Sequence, residues 1–326
     1  MSFNILFTSV GRRVSLLRQF KQTLAEMDQN GKIIAADLQK NAAALFVADA
    51  IELVPRVVDP AYISVLNDIC RRHEIKLLIP LIDTELSLLA KHKAEFASCG
   101  VTVLVSSCAV NDICFDKRNT QAFFEEIGAV TPTVYDEVKL AELGEADYPL
   151  FLKPARGSCS VGATVISNRR ELNFYREQIE TPIIQPLIKG LEYTIDVLVD
   201  FEGVVKCVVP RLRMETRAGE VSKAMTVKDA ELIQAGKGIV EKLPGAVGCI
   251  TLQCFREPNG TICFIEINPR FGGGFPLSFR AGADFPRWII EMMLKLPCTA
   301  ELDKWQDNLV MLRYDDEIII SGEILK

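Results

Sequence analysis

The stretch Phe264-Ile265-Glu266-Ile267-Asn268-Pro269-Arg270-Phe271-Gly272-Gly273-Gly274 decides how this chain is read. Its opening residues predict a strand. Side chains alternate with period two there, so Glu266 and Asn268 share one face. A carboxylate beside an amide oxygen makes a hard-oxygen pair suited to Mg²⁺. Arg270 follows where the strand ends, a charged fork able to meet a phosphoryl oxygen. Taken alone, the same residues also read as a polar strand end followed by a glycine turn. The turn Pro258-Asn259-Gly260 joins this strand, Thr261–Asn268, to a preceding one, Cys249–Arg256. Gln253 has the parity of Thr251 and Phe255 and is placed to lie opposite the pair.

Further upstream, Phe151-Leu152-Lys153-Pro154 puts a lysine on a strand just before Arg156-Gly157-Ser158-Cys159-Ser160-Val161-Gly162. Small residues let backbone N–H groups close around phosphates, and the lysine adds a point charge. The loop is not a Walker A sequence, because Ala163-Thr164 stands where Lys-Ser/Thr is required. A plain hairpin turn is the other reading. Gln185-Pro186-Leu187-Ile188-Lys189-Gly190-Leu191-Glu192 then joins two strands, offering backbone groups at an apolar bend and, in Glu192, a carboxylate suited to ribose hydroxyls. Strands at Ile183–Gln185, Tyr193–Asp200 and Val204–Pro210 with short connections predict antiparallel pairing. A polar loop is expected over Met214–Met225. Within Arg211–Met225, the cations Arg211, Arg213, Arg217 and Lys223 are candidates for holding a carboxylate substrate, or a solvated charge run. Helices are expected over Asp229–Lys242 and Phe285–Leu294.

The first hundred residues alternate differently. Apolar runs at Asn4–Ser9, Ile33–Asp37, Ile51–Val54, Leu77–Leu81 and Val101–Val105 alternate with helical spacings such as Val14/Leu17/Phe20/Leu24, Tyr62/Leu66/Ile69 and Leu86/Leu89/Phe96. That order predicts a parallel, doubly wound sheet. Gly11 alone is no dinucleotide fingerprint, which disfavours a dehydrogenase.

Bulk properties exclude other classes. A net charge of −6 gives no general basic footprint for nucleic acid. No apolar run is long enough to cross a bilayer. The N-terminal apolar run precedes Arg12 and Arg13, the wrong order for a signal peptide. Ten scattered cysteines without a CxxC pair then point to reduced thiols and a cytoplasmic location. The only histidines, His73 and His92, are expected at solvated positions, which leaves little for a Ser-His-Asp hydrolase or a histidine zinc site.

The order Lys117, Lys153, glycine-rich loop, Gln185-to-Glu192 connector, Gln253 and Glu266-x-Asn268-Pro-Arg270 resembles the ATP-grasp superfamily, in particular one synthetase half of the carbamoyl phosphate synthetase large subunit and its short stand-alone homologues. The resemblance covers nearly the whole chain. It implies an α/β protein: a Rossmann-like parallel sheet (pre-ATP-grasp, residues 1–112), then an α+β ATP-grasp fold with antiparallel sheets, comprising a small lid subdomain (113–190) and a large subdomain (191–326). It also implies ATP with Mg²⁺, or Mn²⁺ in its place. Lys117, Lys153, Gly157, Ser158, Cys159 and Ser160 would hold phosphates, Gln185 and the Leu187 backbone adenine, and Glu192 ribose. Gln253, Glu266 and Asn268 would bind metal, and Arg270 and Asn268 would serve catalysis. The activity implied is an ADP-forming ligase that activates a carboxylate as an acyl phosphate and joins it to an amine. A bicarbonate-using synthetase and a non-catalytic nucleotide-binding subunit are the alternatives. Small-molecule substrates are the expected partners, with a homodimer open and neither nucleic acid nor membrane involved. Two departures set the chain apart: lysines replace the arginines common at the phosphate positions of carbamoyl phosphate synthetases, and Gly272-Gly273-Gly274 follows Arg270. The triple glycine is expected to open room for a bulkier acceptor, or to present N–H groups from Gly273 and its neighbours to an anion.

Overall fold

The first apolar run folds as β1 (Asn4–Thr8), all five residues buried, and turns at Gly11 into α1 (Val14–Glu26). Gly11 takes φ +46°, and its N–H donates to Asp37 Oδ2 at 2.8 Å, which ties the turn to the end of the next strand. This computed structural model describes residues 2–157, 161–217 and 219–325. β2 (Ile33–Asp37), β3 (Ala50–Leu53), α2 (Tyr62–Arg72), β4 (Ile75–Pro80), α3 (Asp83–Lys91), α4 (Lys93–Ser98) and β5 (Thr102–Val103) complete the first layer. The strands pair in parallel in the order β3-β2-β1-β4-β5, the doubly wound sheet that the alternation predicts. Two expectations change. The strand expected over Val101–Val105 shortens to two residues, and the Leu86/Leu89/Phe96 spacing is split between two helices.

Next come α5 (Cys108–Phe115), α6 (Lys117–Glu126), α7 (Glu137–Glu142), β6 (Leu150–Pro154), β7 (Thr164–Ile166), α8 (Arg169–Gln178) and β8 (Pro182–Pro186). The three strands form a small antiparallel sheet, β7-β6-β8, with Leu150, Leu152, Ile166, Leu172 and Ile184 in a core of its own. The last part holds β9 (Leu191–Val199), β10 (Val205–Arg217), β11 (Glu220–Thr226), α9 (Ala230–Val240), β12 (Gly248–Arg256), β13 (Ile262–Asn268), α10 (Phe275–Arg280), α11 (Phe285–Met293) and β14 (Val310–Leu312). Its six strands are antiparallel in the order β13-β12-β9-β10-β11-β14. The polar loop expected over Met214–Met225 is instead the distal part of the β10–β11 hairpin. Ladder hydrogen bonds and the ion pair Lys223–Glu215 (2.6 Å) hold this exposed sequence in strands despite its polarity. Strand β14 has no counterpart in the sequence pattern.

One large core joins the first and last layers. The buried side of α1, with Leu17, Phe20 and Leu24, packs against α10 and α11. A series of rings crosses that boundary: Phe7 to Phe20 (5.0 Å), Phe20 to Phe271 (5.9 Å), Phe271 to Phe275 (4.7 Å), Phe275 to Phe285 (5.1 Å) and Phe285 to Trp288 (5.9 Å). Each fully buried ring or leucine contributes roughly 1.5–3 kcal/mol, so this contact fixes the first layer against the six-stranded sheet. A second core, including Leu6, Ile34, Leu66, Ile69, Leu78 and Val103, lies wholly within the first layer.

Among the described residues no helix is long and apolar enough to cross a membrane. The described cysteines are all free. His92 is partly exposed, with Nδ1 2.8 Å from Glu95 Oε2. His73 is not a plain surface residue: it is half-buried, with Nε2 2.6 Å from Glu52 Oε1.

Candidate active site

Strand parity builds the site. On one face of the six-stranded sheet, Thr194 of β9 pairs with Arg211 of β10 on one side and Gln253 of β12 on the other. Gln253 pairs in turn with Glu266 of β13, and Thr251 with Asn268. Glu192, Thr194, Arg211, Arg213, Thr251, Gln253, Glu266 and Asn268 thus line a single cleft of about 450 Å³. The small sheet supplies the facing wall with Lys153, Gln185 and Leu187, while Lys117, Gly157, Arg270 and Gly273 complete it. Of the residues singled out in the sequence, Arg217 and Lys223 are elsewhere: Arg217 pairs with Asp315 and Lys223 with Glu215. Ser158, Cys159 and Ser160 lie outside the described residues.

Charge is distributed unevenly along the cleft. Lys117 heads α6, and its Nζ donates to Gly157 O at 2.7 Å, at the mouth of the glycine-rich loop. Asp116 caps the same helix and pairs with Arg118 and Arg156. The Arg118 hydrogen bond is the largest influence that holds its carboxyl down to about 2, against the opposing effect of burial. Burial pushes Lys153 down to about 8, with Glu266 opposing and Lys117 reinforcing the shift. Burial raises the pKa of Glu192, although Arg213, whose Nε lies 3.1 Å from its Oε1, opposes this.

Deeper in, Arg211 is fully buried. Its Nε and Nη2 donate to Asp196 at 2.8 and 2.9 Å, and Asp196 also accepts from Ser278 Oγ at 2.6 Å and Thr251 Oγ1 at 3.3 Å. Arg211 Nη1 and Thr194 Oγ1 are buried atoms of residues that line this cleft, with no hydrogen-bond partner among the described residues. Unpaired buried donors are costly, and here they face space that a ligand can occupy.

The triple glycine does not open room. A Cβ on Gly272 would meet Thr251 at 3.2 Å, one on Gly273 would meet Arg13 Nη1 at 2.9 Å, and one on Gly274 would meet Arg211 Nη1 at 2.2 Å. The expectation of a roomier pocket is therefore corrected. Thr251 beside Gly272, Arg13 beside Gly273 and Arg211 beside Gly274 fill the space that the missing side chains leave.

Sequence reading missed five residues. Arg13 enters the cleft from the first layer. Thr194 and Asp196 follow from period-two continuation past Glu192, a signal that was available. Glu220 lies where three arginines meet. Asp83 gave no signal at all: it begins α3, 187 residues before its partner, and its carboxylate grips Arg270 with Nε–Oδ1 2.8 Å and Nη2–Oδ2 2.7 Å. Buried Glu85 holds this turn by accepting from the N–H groups of Leu81 and Ile82 and from the Tyr62 hydroxyl.

The donor set fits a nucleotide and a hard divalent cation. Gln253, Glu266 and Asn268 adjoin one another and offer only oxygen-type donors for such an ion. Among the described residues no cluster of three or more His, Cys, Asp or Glu side chains forms a metal site. One carboxylate and two amides would hold such an ion only in part, so further oxygen ligands would have to come from what it binds with.

Comparison with known proteins agrees with this geometry. Residues 114–274 match the ATP-grasp domain, and residues 5–104 match the PylC-like N-terminal domain. The chain belongs to the ATP-grasp superfamily, a fold of ATP-dependent ligases. It is similar to the carbamoyl-phosphate synthase of Methanobrevibacter smithii, 24% identical over 75% of this chain and 70% of that one. It is also similar to D-alanine–D-alanine ligase A of Bacillus cereus, 28% identical over 36% of this chain and 44% of that one. Among solved structures, the biotin carboxylase of Campylobacter jejuni superposes with a TM-score of 0.71 at 18% identity, covering 89% of this chain and 70% of that one.

Proposed function

We propose that this chain is an ADP-forming carboxylate–amine ligase dependent on ATP and Mg²⁺, with its three sheets working as three units, residues 1–112, 113–190 and 191–326. The observation that carries the reading is the cleft itself: two lysines on one side, Gln253, Glu266 and Asn268 on the other, and four arginines, Arg13, Arg211, Arg213 and Arg270, along its lining. Lys117, Lys153 and the backbone near Gly157 would bind the phosphates. Gln185 and the Leu187 backbone would bind adenine, and Glu192 ribose. Mg²⁺ held by Gln253, Glu266 and Asn268 would neutralise charge on the phosphates.

In this reading the unpaired Nη1 of Arg211 binds the substrate carboxylate, and Asp196 holds that guanidinium in place. The carboxylate oxygen attacks the γ-phosphorus in line, the bond from that phosphorus to the bridging oxygen of ADP breaks, and an acyl phosphate forms. Arg270 faces the developing phosphoryl charge. The amine nitrogen then attacks the acyl carbon and inorganic phosphate leaves. The proton lost by the nitrogen passes to solvent. The chemistry needs little general-base strength, which suits a cleft without histidine.

Hydroxylamine supplied as acceptor tests the reading. A hydroxamate should form only with ATP, Mg²⁺ and the right organic acid, with ADP as the spent nucleotide, and Arg270→Ala should suppress it. Bicarbonate stimulating turnover as strongly as every organic acid would replace this reading with the carbamoyl-phosphate one. No turnover with any acid would leave a nucleotide-binding subunit.

A further inference from the structure

The floor of the cleft runs as one row across four strands. Register sets Glu266 of β13 opposite Gln253 of β12, Gln253 opposite Thr194 of β9, and Thr194 opposite Arg211 of β10. Neighbouring strands lie about 4.8 Å apart, so the backbone of Thr194 is about 5 Å from that of Gln253, and the backbone of Arg211 about 10 Å from it. The row therefore changes character along its length. A carboxylate and an amide stand at one end, a hydroxyl and a guanidinium at the other. Lys153 interacts electrostatically with Glu266 at the first end. Phosphates held between the two would sit there and leave the second end to another anion.

That second end holds donors with nothing to donate to. Arg211 and Thr194 are only 1% and 4% exposed. Asp196 takes the Nε–Nη2 edge of the guanidinium, while Nη1 and the Thr194 hydroxyl have no hydrogen-bond partner among the described residues. Asp196 cannot serve them as well, because each of its oxygens already accepts two bonds. Oδ1 accepts from Arg211 Nη2 and Thr251 Oγ1, and Oδ2 from Arg211 Nε and Ser278 Oγ. Buried donors without acceptors destabilise a fold. Valine, with the same shape and no hydroxyl, would suit position 194 better if packing were its whole role. Two such donors on paired strands, both lining the cleft, fit the two oxygens of one carboxylate.

We propose that Thr194 completes a two-point seat for the acid substrate, with Arg211 Nη1 on one carboxylate oxygen and the Thr194 hydroxyl on the other, so that Thr194 sets affinity for the acid and not for the nucleotide. That the seated acid is then phosphorylated rests on the ligase reading above; the seat itself does not.

Ligand-observed NMR on the chain loaded with MgADP tests the seat. The probes are the proteinogenic amino acids, D-alanine, lactate and succinate, each against the amide of its carboxyl group. At least one acid should bind roughly 10-fold or more tighter than its amide, the scale of one charge-assisted hydrogen bond. Thr194→Val keeps the shape and should weaken that acid roughly 10-fold, while Thr194→Ser should restore it to within about threefold. The melting temperature of Thr194→Val should not fall, since no hydrogen bond within the chain is lost. The ATP dissociation constant, measured by calorimetry without acid, should stay within about twofold in both variants. Unchanged acid affinity in Thr194→Val would mean that the hydroxyl holds only a trapped water, and an equal loss for ATP would assign it to the phosphates. Either result, a lowered melting temperature, or no acid preferred over its amide overturns the proposal. If Thr194→Val releases the acid, yet no acid gives a hydroxamate, the ligase reading fails and the seat stands. A hydroxamate formed by Thr194→Val with the wild-type KM for the acid has the opposite meaning: the seat fails and the ligase reading stands.

Discussion

Asp83→Asn isolates the link between the first layer and the reacting end of the cleft. In the wild type two charge-assisted hydrogen bonds of 2.7 and 2.8 Å join Asp83 to Arg270, whose side chains are 25% and 12% exposed. Such bonds are worth about 1.5–3 kcal/mol each when well shielded. Asparagine keeps one acceptor oxygen but turns an NH₂ toward the guanidinium and removes the ionic attraction. Allowing for the partial exposure, about 2 kcal/mol of constraint on Arg270 is lost. If that constraint is expressed in the transition state, hydroxamate formation falls about 30-fold at ~1.4 kcal/mol per decade. The ATP dissociation constant, measured by calorimetry, should stay within about twofold, because Asp83 is not among the residues lining the nucleotide cleft. A double-mutant cycle supplies the decisive measurement: on an Arg270→Ala background Asp83→Asn should cost almost nothing, since its effect passes through the arginine. An equal cost in both backgrounds, or wild-type turnover in the single variant, refutes the assignment of Asp83 as the residue that positions Arg270.

Glu266→Gln should lower turnover at least ~10²-fold with little change in melting temperature, and a folded variant with normal turnover removes Glu266 from the site. Lys153, lowered to about 8 by burial, is charged below that pH and neutral above it. Nucleotide affinity should therefore be full at pH 7 and decline as pH rises through 8 to 9; Lys153→Met should bind weakly with no such decline, and a wild-type profile level to pH 10 contradicts this. Gly274→Ala places a methyl group 2.2 Å from Arg211 Nη1, so we expect about 1–3 kcal/mol of destabilisation in chemical unfolding and a raised KM for the acid. Asp196→Asn leaves the buried Arg211 charge with a weaker partner; a loss approaching the ~3–5 kcal/mol of a broken buried pair is expected, and a variant as stable as wild type shows that the pair is not holding Arg211.

Local periodicity made most strands and helices legible. Runs such as Ile33–Asp37 and Cys249–Arg256 have one burial pattern and one plausible structure. The parity argument for Gln253, Glu266 and Asn268 held because antiparallel register carries a face across neighbouring strands. The hairpin through Arg217 and Glu220 was not legible: its charged residues look like loop, and only cross-strand pairing keeps them extended. One of the two readings of the triple glycine took it as space, because a sequence shows a missing side chain without showing what fills the gap. Arg211 was left open between a substrate-binding cation and a solvated charge run, because its burial depends on Asp196 and Ser278, which are 15 and 82 residues along the chain from Arg211 and Asp196 respectively. Asp83 and Arg13 reach the site through packing between layers, which no local pattern encodes.

The line of rings from Phe7 to Trp288 has a consequence for how the chain is made. Synthesis delivers Phe7 and Phe20 early, but the rings that cover them, Phe271, Phe275 and Phe285, emerge some 250 residues later. At about 5–20 residues per second, one side of α1 therefore waits roughly 10–50 seconds with its apolar surface uncovered. The other side of the same layer has no such delay, because its core closes with residues no later than Val105. The nascent first layer is thus half-finished: a sheet with one face complete and the other exposed to aggregation until the ribosome has passed α11. Chaperone binding during synthesis should concentrate on that α1 face and end once residue 290 has cleared the exit tunnel.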